Sequence, residues 1–157
     1  MPARCPLHIV TGKGGVGKTT LALALALRLS REGARVVVAE VEGRSGLALA
    51  TGRPVRSKPG LLLPTRNGRV EGVQIDARAS LAGYLQRYFR LGFAADLRQL
   101  GPLVDFATRI APGLRDILLI GQVTHLTETH PDIDALVLDA PPSGRIGSFL
   151  GAGEGLA

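Results

Sequence analysis

Residues 12–20 read GKGGVGKTT, with four glycines and two lysines crowded between the apolar runs LHIV and LALALALRL. Glycine weakens helix and strand alike, so such crowding marks a place where the backbone itself has a task. The order strand, G-x-x-x-x-G-K-[ST], helix is the pattern of a phosphate-cradling loop, and Gly12 to Thr19 fill it position by position. Glycines let successive backbone N–H groups turn inward and approach phosphate oxygens with no Cβ in the way. The N-terminus of the following helix adds partial positive charge at the same point. Lys18 is placed to reach the β- and γ-phosphates, and the Thr19 hydroxyl to ligand Mg²⁺. The candidate nucleotide-binding stretch is therefore Gly12, Lys13, Gly14, Gly15, Val16, Gly17, Lys18, Thr19 and Thr20.

Such a loop needs a strand before it and a helix after it. Leu7 to Val10 is the expected first strand. In TLALALALRLSREGAR leucine alternates with alanine at period two, which alone suggests a strand. The helix preference of both residue types, the length of the run and Gly33 as a stop residue favour a helix. It is apolar nearly all round, so burial on two faces is expected, one against a sheet and the other against a neighbouring helix or a partner chain. ARVVVAEV is a β-branched run of the kind buried on both faces of a parallel sheet. Residues 43–69, rich in glycine and proline, are expected to form a solvated connecting loop. VEGVQI is the next strand, and Asp76 is placed to cap a helix beginning at Ala77. From there to about His130 the chain reads as helical, interrupted by GP at 101 and APG at 111, with Tyr84, Tyr88 and Phe89 as core candidates. DALVLDAPPSGR then supplies a buried strand ending in a carboxylate and a proline-glycine turn. The expected fold is α/β, of phosphate-loop NTPase type: one domain over residues 1–157, a mostly parallel sheet flanked by helices.

The second lysine of the loop, Lys13, points further. GKGGVGKTT resembles the deviant loop shared by the MinD/ParA ATPases, the arsenite-pump ATPases and the tail-anchored-protein-targeting ATPases. The resemblance implies that Lys13 reaches across a dimer interface to the partner's nucleotide, in a homodimer or a heterodimer with a paralogue. Four stretches, TGKGGVGKTT, VVVAEVEGRSGLALATG, DFATRIAPGLRDILLIGQV and LVLDAPPSGRIGSFL, resemble the ArsA-type anion-transporting ATPase family more than the partitioning ATPases. By that resemblance Glu42 is the first-switch carboxylate that positions the attacking water, where most relatives have aspartate. Glu40, on the same strand face by period two, is the competing candidate. Asp139 looks like the second carboxylate, holding Mg²⁺ or its water, and Gly144 would turn an N–H toward the γ-phosphate. Arg145 stands where several relatives have histidine; phosphate contact and plain exposure are both open to it. The implied catalytic set is Lys13, Lys18 and Glu42, with ATP and Mg²⁺ as cofactors and an unidentified protein as cargo. The resemblance covers only the N-terminal half of the family domain, so strands beyond the second switch and residues enclosing the base are expected to lie outside this chain.

Composition narrows the alternatives. The chain is 45% hydrophobic and 20% charged, the balance of a soluble globular domain, and no apolar run reaches the length of a membrane span. No secretory signal is read at the N-terminus, and Cys5 is the single cysteine, so a reducing cytoplasm is the expected location. There is no C-x-x-C pair for a zinc-bridged dimer, and His8, His125 and His130 lack ligand spacing. The net charge of +6 is almost all arginine. Arg53, Arg56, Lys58, Arg66 and Arg69 occur without an intervening carboxylate, yet no aromatic residue interleaves them as single-strand binding would need. DNA association through 53–69 is thus a weaker reading than ATP hydrolysis. A non-hydrolysing nucleotide-binding module is the other alternative.

Overall fold

A computed structural model of the chain describes residues 5–41, 44–77, 79–81 and 112–151. The first expected strand is β1 (Leu7–Val10), and the helix after the glycine loop is α1 (Lys18–Ser30). Alanine and leucine propensity thus prevails over the period-two pattern. Gly33 follows the helix end at φ 93°, its N–H donating to the Ser30 carbonyl at 3.1 Å. Only one face of α1 is sealed. Ala22 and Ala26, wholly buried, let the helix lie close to the sheet, while Leu21 is 61% exposed. Within the single chain the second face is therefore uncovered at that residue, where a neighbouring helix or a partner chain is expected.

The run ARVVVAEV forms β2 (Arg35–Val41), buried from Val36 onward. Residues 43–69 are not the plain loop that their glycine and proline content suggests. They contain α2 (Gly46–Thr51), closed by Gly52 at φ 69°, and β3 (Gly60–Pro64). Then come β4 (Arg69–Ile75), α3 (Pro112–Thr129), β5 (Ala135–Asp139) and α4 (Ser143–Gly151). Asp76 caps as expected, its Oδ1 accepting from the Ala79 N–H at 3.2 Å. Pro112 is the first described residue of α3. The proline-glycine stretch after Asp139 is a turn only as far as Pro142, and Gly144 lies inside α4. Tyr84, Tyr88, Phe89 and the break at 101 lie outside the described residues.

The five strands are ordered β1-β5-β2-β4-β3. The first four are mutually parallel, and β3 runs antiparallel to β4 with a register shift between Leu61 and Leu63. Strand alternation divides the core in two. Val37, Ala39 and Val41 face the side holding Leu119, Val123 and Phe149 of α3 and α4. Val36 and Val38 face the side holding Ala22 and Ala26 of α1 and Leu47 of α2. The architecture is therefore a mostly parallel sheet flanked by helices, with the β1 loop at its carboxyl edge, where open α/β sheets hold ligands. Among the described residues no helix is long and apolar enough to cross a membrane.

At the opposite edge a charged network ties β2 to β4. Glu71, 7% exposed, accepts from Arg35 at 3.0 and 2.8 Å and from Arg69 Nε at 2.6 Å. The bidentate Arg35 contact holds the Glu71 carboxyl below its ordinary pKa against the opposing effect of burial. The native state therefore favours the carboxylate more than the unfolded chain does. Its contribution is full above the ordinary carboxylate range and is lost as pH falls through the depressed native value. Glu71→Gln is expected to cost about 2 kcal/mol near neutral pH. It should also flatten the acid limb of stability against pH, as read by urea denaturation from pH 3 to 7; an unchanged acid limb would contradict this assignment.

Candidate functional site

The glycine loop takes its shape from backbone angles that side chains resist. Gly15 has φ 79° and Gly17 φ 88°, both in the left-handed region. A Cβ built on Gly14, Gly15 or Gly17 meets nothing within 4 Å, so the space beside the loop is open. Gly17 is also the residue before α1, and among the described residues no side chain caps that helix. The first-turn N–H groups of α1 therefore have no side-chain acceptor, and they border the cavity. An anion is the natural partner for such a helix start.

Lys18 sharpens the point. It is 8% exposed, and its Nζ donates to the Lys13 carbonyl at 3.1 Å. Among the described residues no carboxylate pairs with it. A buried ammonium with one carbonyl partner is poorly compensated and favours a negative ligand. The cavity measures about 580 Å³ and is lined by Gly14, Gly15, Gly17, Lys18, Thr19, Arg44 and Pro142. Lys13, Val16 and Thr20 are exposed, and none of the three lines the cavity. Gly12 lies beneath it, accepting from the Ser143 N–H at 3.1 Å and so joining the loop to the start of α4.

Beside the loop is a site of the opposite sign. Glu40 and Asp139 are register partners on the adjacent parallel strands β2 and β5, both on the α1 side of the sheet. Glu40 is 1% exposed and Asp139 is fully buried. Asp139 Oδ2 accepts from the Thr19 hydroxyl at 2.5 Å. Glu40 Oε1 accepts from the amides of Gly46 at 2.7 Å and Leu47 at 3.3 Å, which fixes the start of α2. The other oxygen of each, Glu40 Oε2 and Asp139 Oδ1, is buried without a partner. Burial raises the Glu40 pKa, and nearby Asp139 raises it further, against the lowering effect of the two amides and Arg44.

Hard oxygen donors with an unsatisfied buried carboxylate oxygen fit Mg²⁺, which typically takes one or two carboxylates plus phosphate and water oxygens. Thr19 and Asp139 are the residues that could hold it. Among the described residues no cluster of three or more His, Cys, Asp or Glu could hold a metal by itself.

Other expected residues fall as follows. Glu42 lies outside the described residues. Gly144 is in the first turn of α4, where N–H groups lack intrahelical acceptors. Arg145 is engaged by Asp116 of α3 at 3.1 Å, an ion pair that neither expectation for it included. Arg44 was not anticipated. It lines the cavity and donates to the Ala140 carbonyl at 3.3 Å, while its own carbonyl accepts from Gln74 Nε2 at 3.0 Å. Its only signal in the sequence is a lone arginine shortly after a strand-end carboxylate, too common a pattern to single out.

Comparison with known proteins supplies the wider frame. Residues 7–154 match the family described as anion-transporting ATPase. ATPase BagA of Mycobacterium tuberculosis is 45% identical over 152 residues, covering 92% of this chain and 44% of that protein. An uncharacterized protein of Streptomyces coelicolor is 34% identical, over 94% of this chain and 37% of its own length. A candidate arsenical pump-driving ATPase of Aquifex aeolicus is 28% identical, over 85% of this chain and 44% of its own length. The chain thus spans less than half the length of these relatives.

The Glu40 geometry has a direct consequence for stability. Glu40→Gln keeps an acceptor for both α2 amides and removes a buried charge facing Asp139. Urea denaturation without divalent cation is expected to show it as stable as the parent chain, or stabler by up to about 1 kcal/mol. Glu40→Ala leaves two amides unpaired and should cost about 2 kcal/mol. The reverse order would contradict the placement of this carboxylate.

Proposed function

The chain belongs to the anion-transporting ATPase family, and on that premise we propose that it binds ATP with Mg²⁺ and hydrolyses the terminal phosphoryl bond. The observation that carries this reading is the pairing of opposite deficits across Thr19. On one side lie the buried Lys18 and the uncapped start of α1, and on the other the buried Asp139 with an unpartnered oxygen. A polyphosphate and a divalent cation together would satisfy both.

In this reading the loop amides and Lys18 bind the β- and γ-phosphates and neutralise the charge that develops on them. Thr19 and Asp139 would hold the cation, which would supply positive charge to offset the charge on the phosphates. Arg44 faces the same cavity and adds a second fixed cation. Glu42 orients the attacking water, and Gly144 offers an N–H to the γ-phosphate. Lys13, exposed on the loop, is free to reach a nucleotide in a second protomer. Nucleotide occupancy would then drive closure of a homodimer, or of a heterodimer with a paralogue, and couple it to a protein cargo in the cytoplasm. Positioning and charge stabilisation carry the rate, as in phosphoryl transfer generally.

Single-turnover hydrolysis of radiolabelled Mg·ATP tests this reading. Lys18→Ala is expected to slow phosphate release by about a hundredfold or more. Equal rates in the two proteins would overturn hydrolysis at this site and favour the nucleotide-binding module without turnover.

A further inference from the structure

The segment joining α2 to β3 forms a second cleft, which shares no lining residue with the cavity beside the glycine loop. It measures about 630 Å³ and is lined by residues 53, 54 and 56–61. Its shape is built rather than slack. Gly52 closes α2 with its N–H on the Ala48 carbonyl at 2.8 Å, and Val55 packs against the α1-side core. The Arg56 carbonyl accepts from the Gln74 N–H of β4 at 2.8 Å, and Pro54 and Pro59 restrict the backbone between these anchors.

Three cations, Arg53, Arg56 and Lys58, stand exposed on this frame, and none pairs with a carboxylate among the described residues. The sequence holds no Asp or Glu between residues 43 and 70. The next carboxylate, Glu71, is already engaged by Arg35 and Arg69. The cleft ends on Gly60 and Leu61, the first residues of β3, and Leu61 is 47% exposed. Among the described residues no strand pairs with the outer edge of β3. Positive charge, an apolar side chain and an open strand edge thus meet in one place.

We propose that this cleft docks an extended acidic segment of a partner protein, with its carboxylates on Arg53, Arg56 and Lys58 and its backbone along the outer edge of β3. Charge complementarity selects an anionic occupant. A small anion would use the cations and leave Leu61 and the strand edge uncovered. Single-stranded nucleic acid is held by aromatic stacking together with cations, and the sequence has no Phe, Trp or Tyr between residues 44 and 83. Strand addition uses both features at once: main-chain hydrogen bonds give affinity and side chains give specificity. The competing explanation is protective. Cations, prolines and a register shift also keep an edge strand from pairing with anything.

The test is fluorescence anisotropy with a labelled dodecapeptide of alternating Glu and Val, measured without nucleotide. Saturable binding that weakens with added salt is expected. It should fall about tenfold or more in the variant carrying Arg53→Glu, Arg56→Glu and Lys58→Glu, and by less than about twofold in Arg66→Glu, a cation outside the cleft. Methylating alternate backbone nitrogens of the peptide should weaken binding to the unaltered protein to a similar degree, a readout independent of how any variant folds. The proposal is overturned if binding is not saturable, if the triple variant and Arg66→Glu weaken it equally, or if methylation has no effect. Tighter binding of oligothymidine or of phosphatidylglycerol vesicles than of the peptide would also overturn it.

Discussion

Two carboxylates placed side by side in the protein interior are the constraint around which the rest is arranged. The parallel register of β2 and β5 sets Glu40 against Asp139, and strand alternation turns both toward α1. Like charges so placed repel, and burial raises the cost for each. The fold answers with the donors within reach. Asp139 receives the Thr19 hydroxyl, and Glu40 receives the first amides of α2. These bonds satisfy half of each carboxylate and at the same time fix the first turn of α1 and the start of α2.

The glycine loop carries the opposite imbalance. Left-handed angles at Gly15 and Gly17 bring the chain into α1 and, among the described residues, no side chain caps the helix and the Lys18 ammonium has only the Lys13 carbonyl. The central strands beneath, β2 and β5, are buried on both faces. A ligand that brought negative charge to one half and positive charge to the other would satisfy both. Contacts from Gly12 to Ser143 and from Arg44 to Ala140 link the loop, the segment before α2 and the start of α4 around one cavity. A change in its occupancy would therefore be felt by all three.

How much of this was legible in the sequence depends on the kind of signal. The loop could be read because its residue types report backbone angles: Gly17 is needed for a positive φ and Lys18 for its charge. The central strands could be read because parallel burial leaves unbroken runs such as VVVA. Helix α1 needed propensity to override an alternating pattern, and the exposure of Leu21 escaped because a helix apolar all round does not reveal which face meets the sheet. Helix α2 and strand β3 were hidden by the glycines and prolines that bound them, since both elements are short. The pairing of Glu40 with α2 depends on tertiary register, which no local pattern encodes. Glu42, assigned by resemblance, lies outside the described residues.

The central claim is that the two unsatisfied halves of the site are met together. Isothermal titration with a non-hydrolysable ATP analogue addresses it most directly, run once with Mg²⁺ and once with EDTA. The account predicts saturable binding with Mg²⁺ that is lost or weakened about tenfold or more when the cation is removed. No binding in either condition, or equal binding in both, would contradict it.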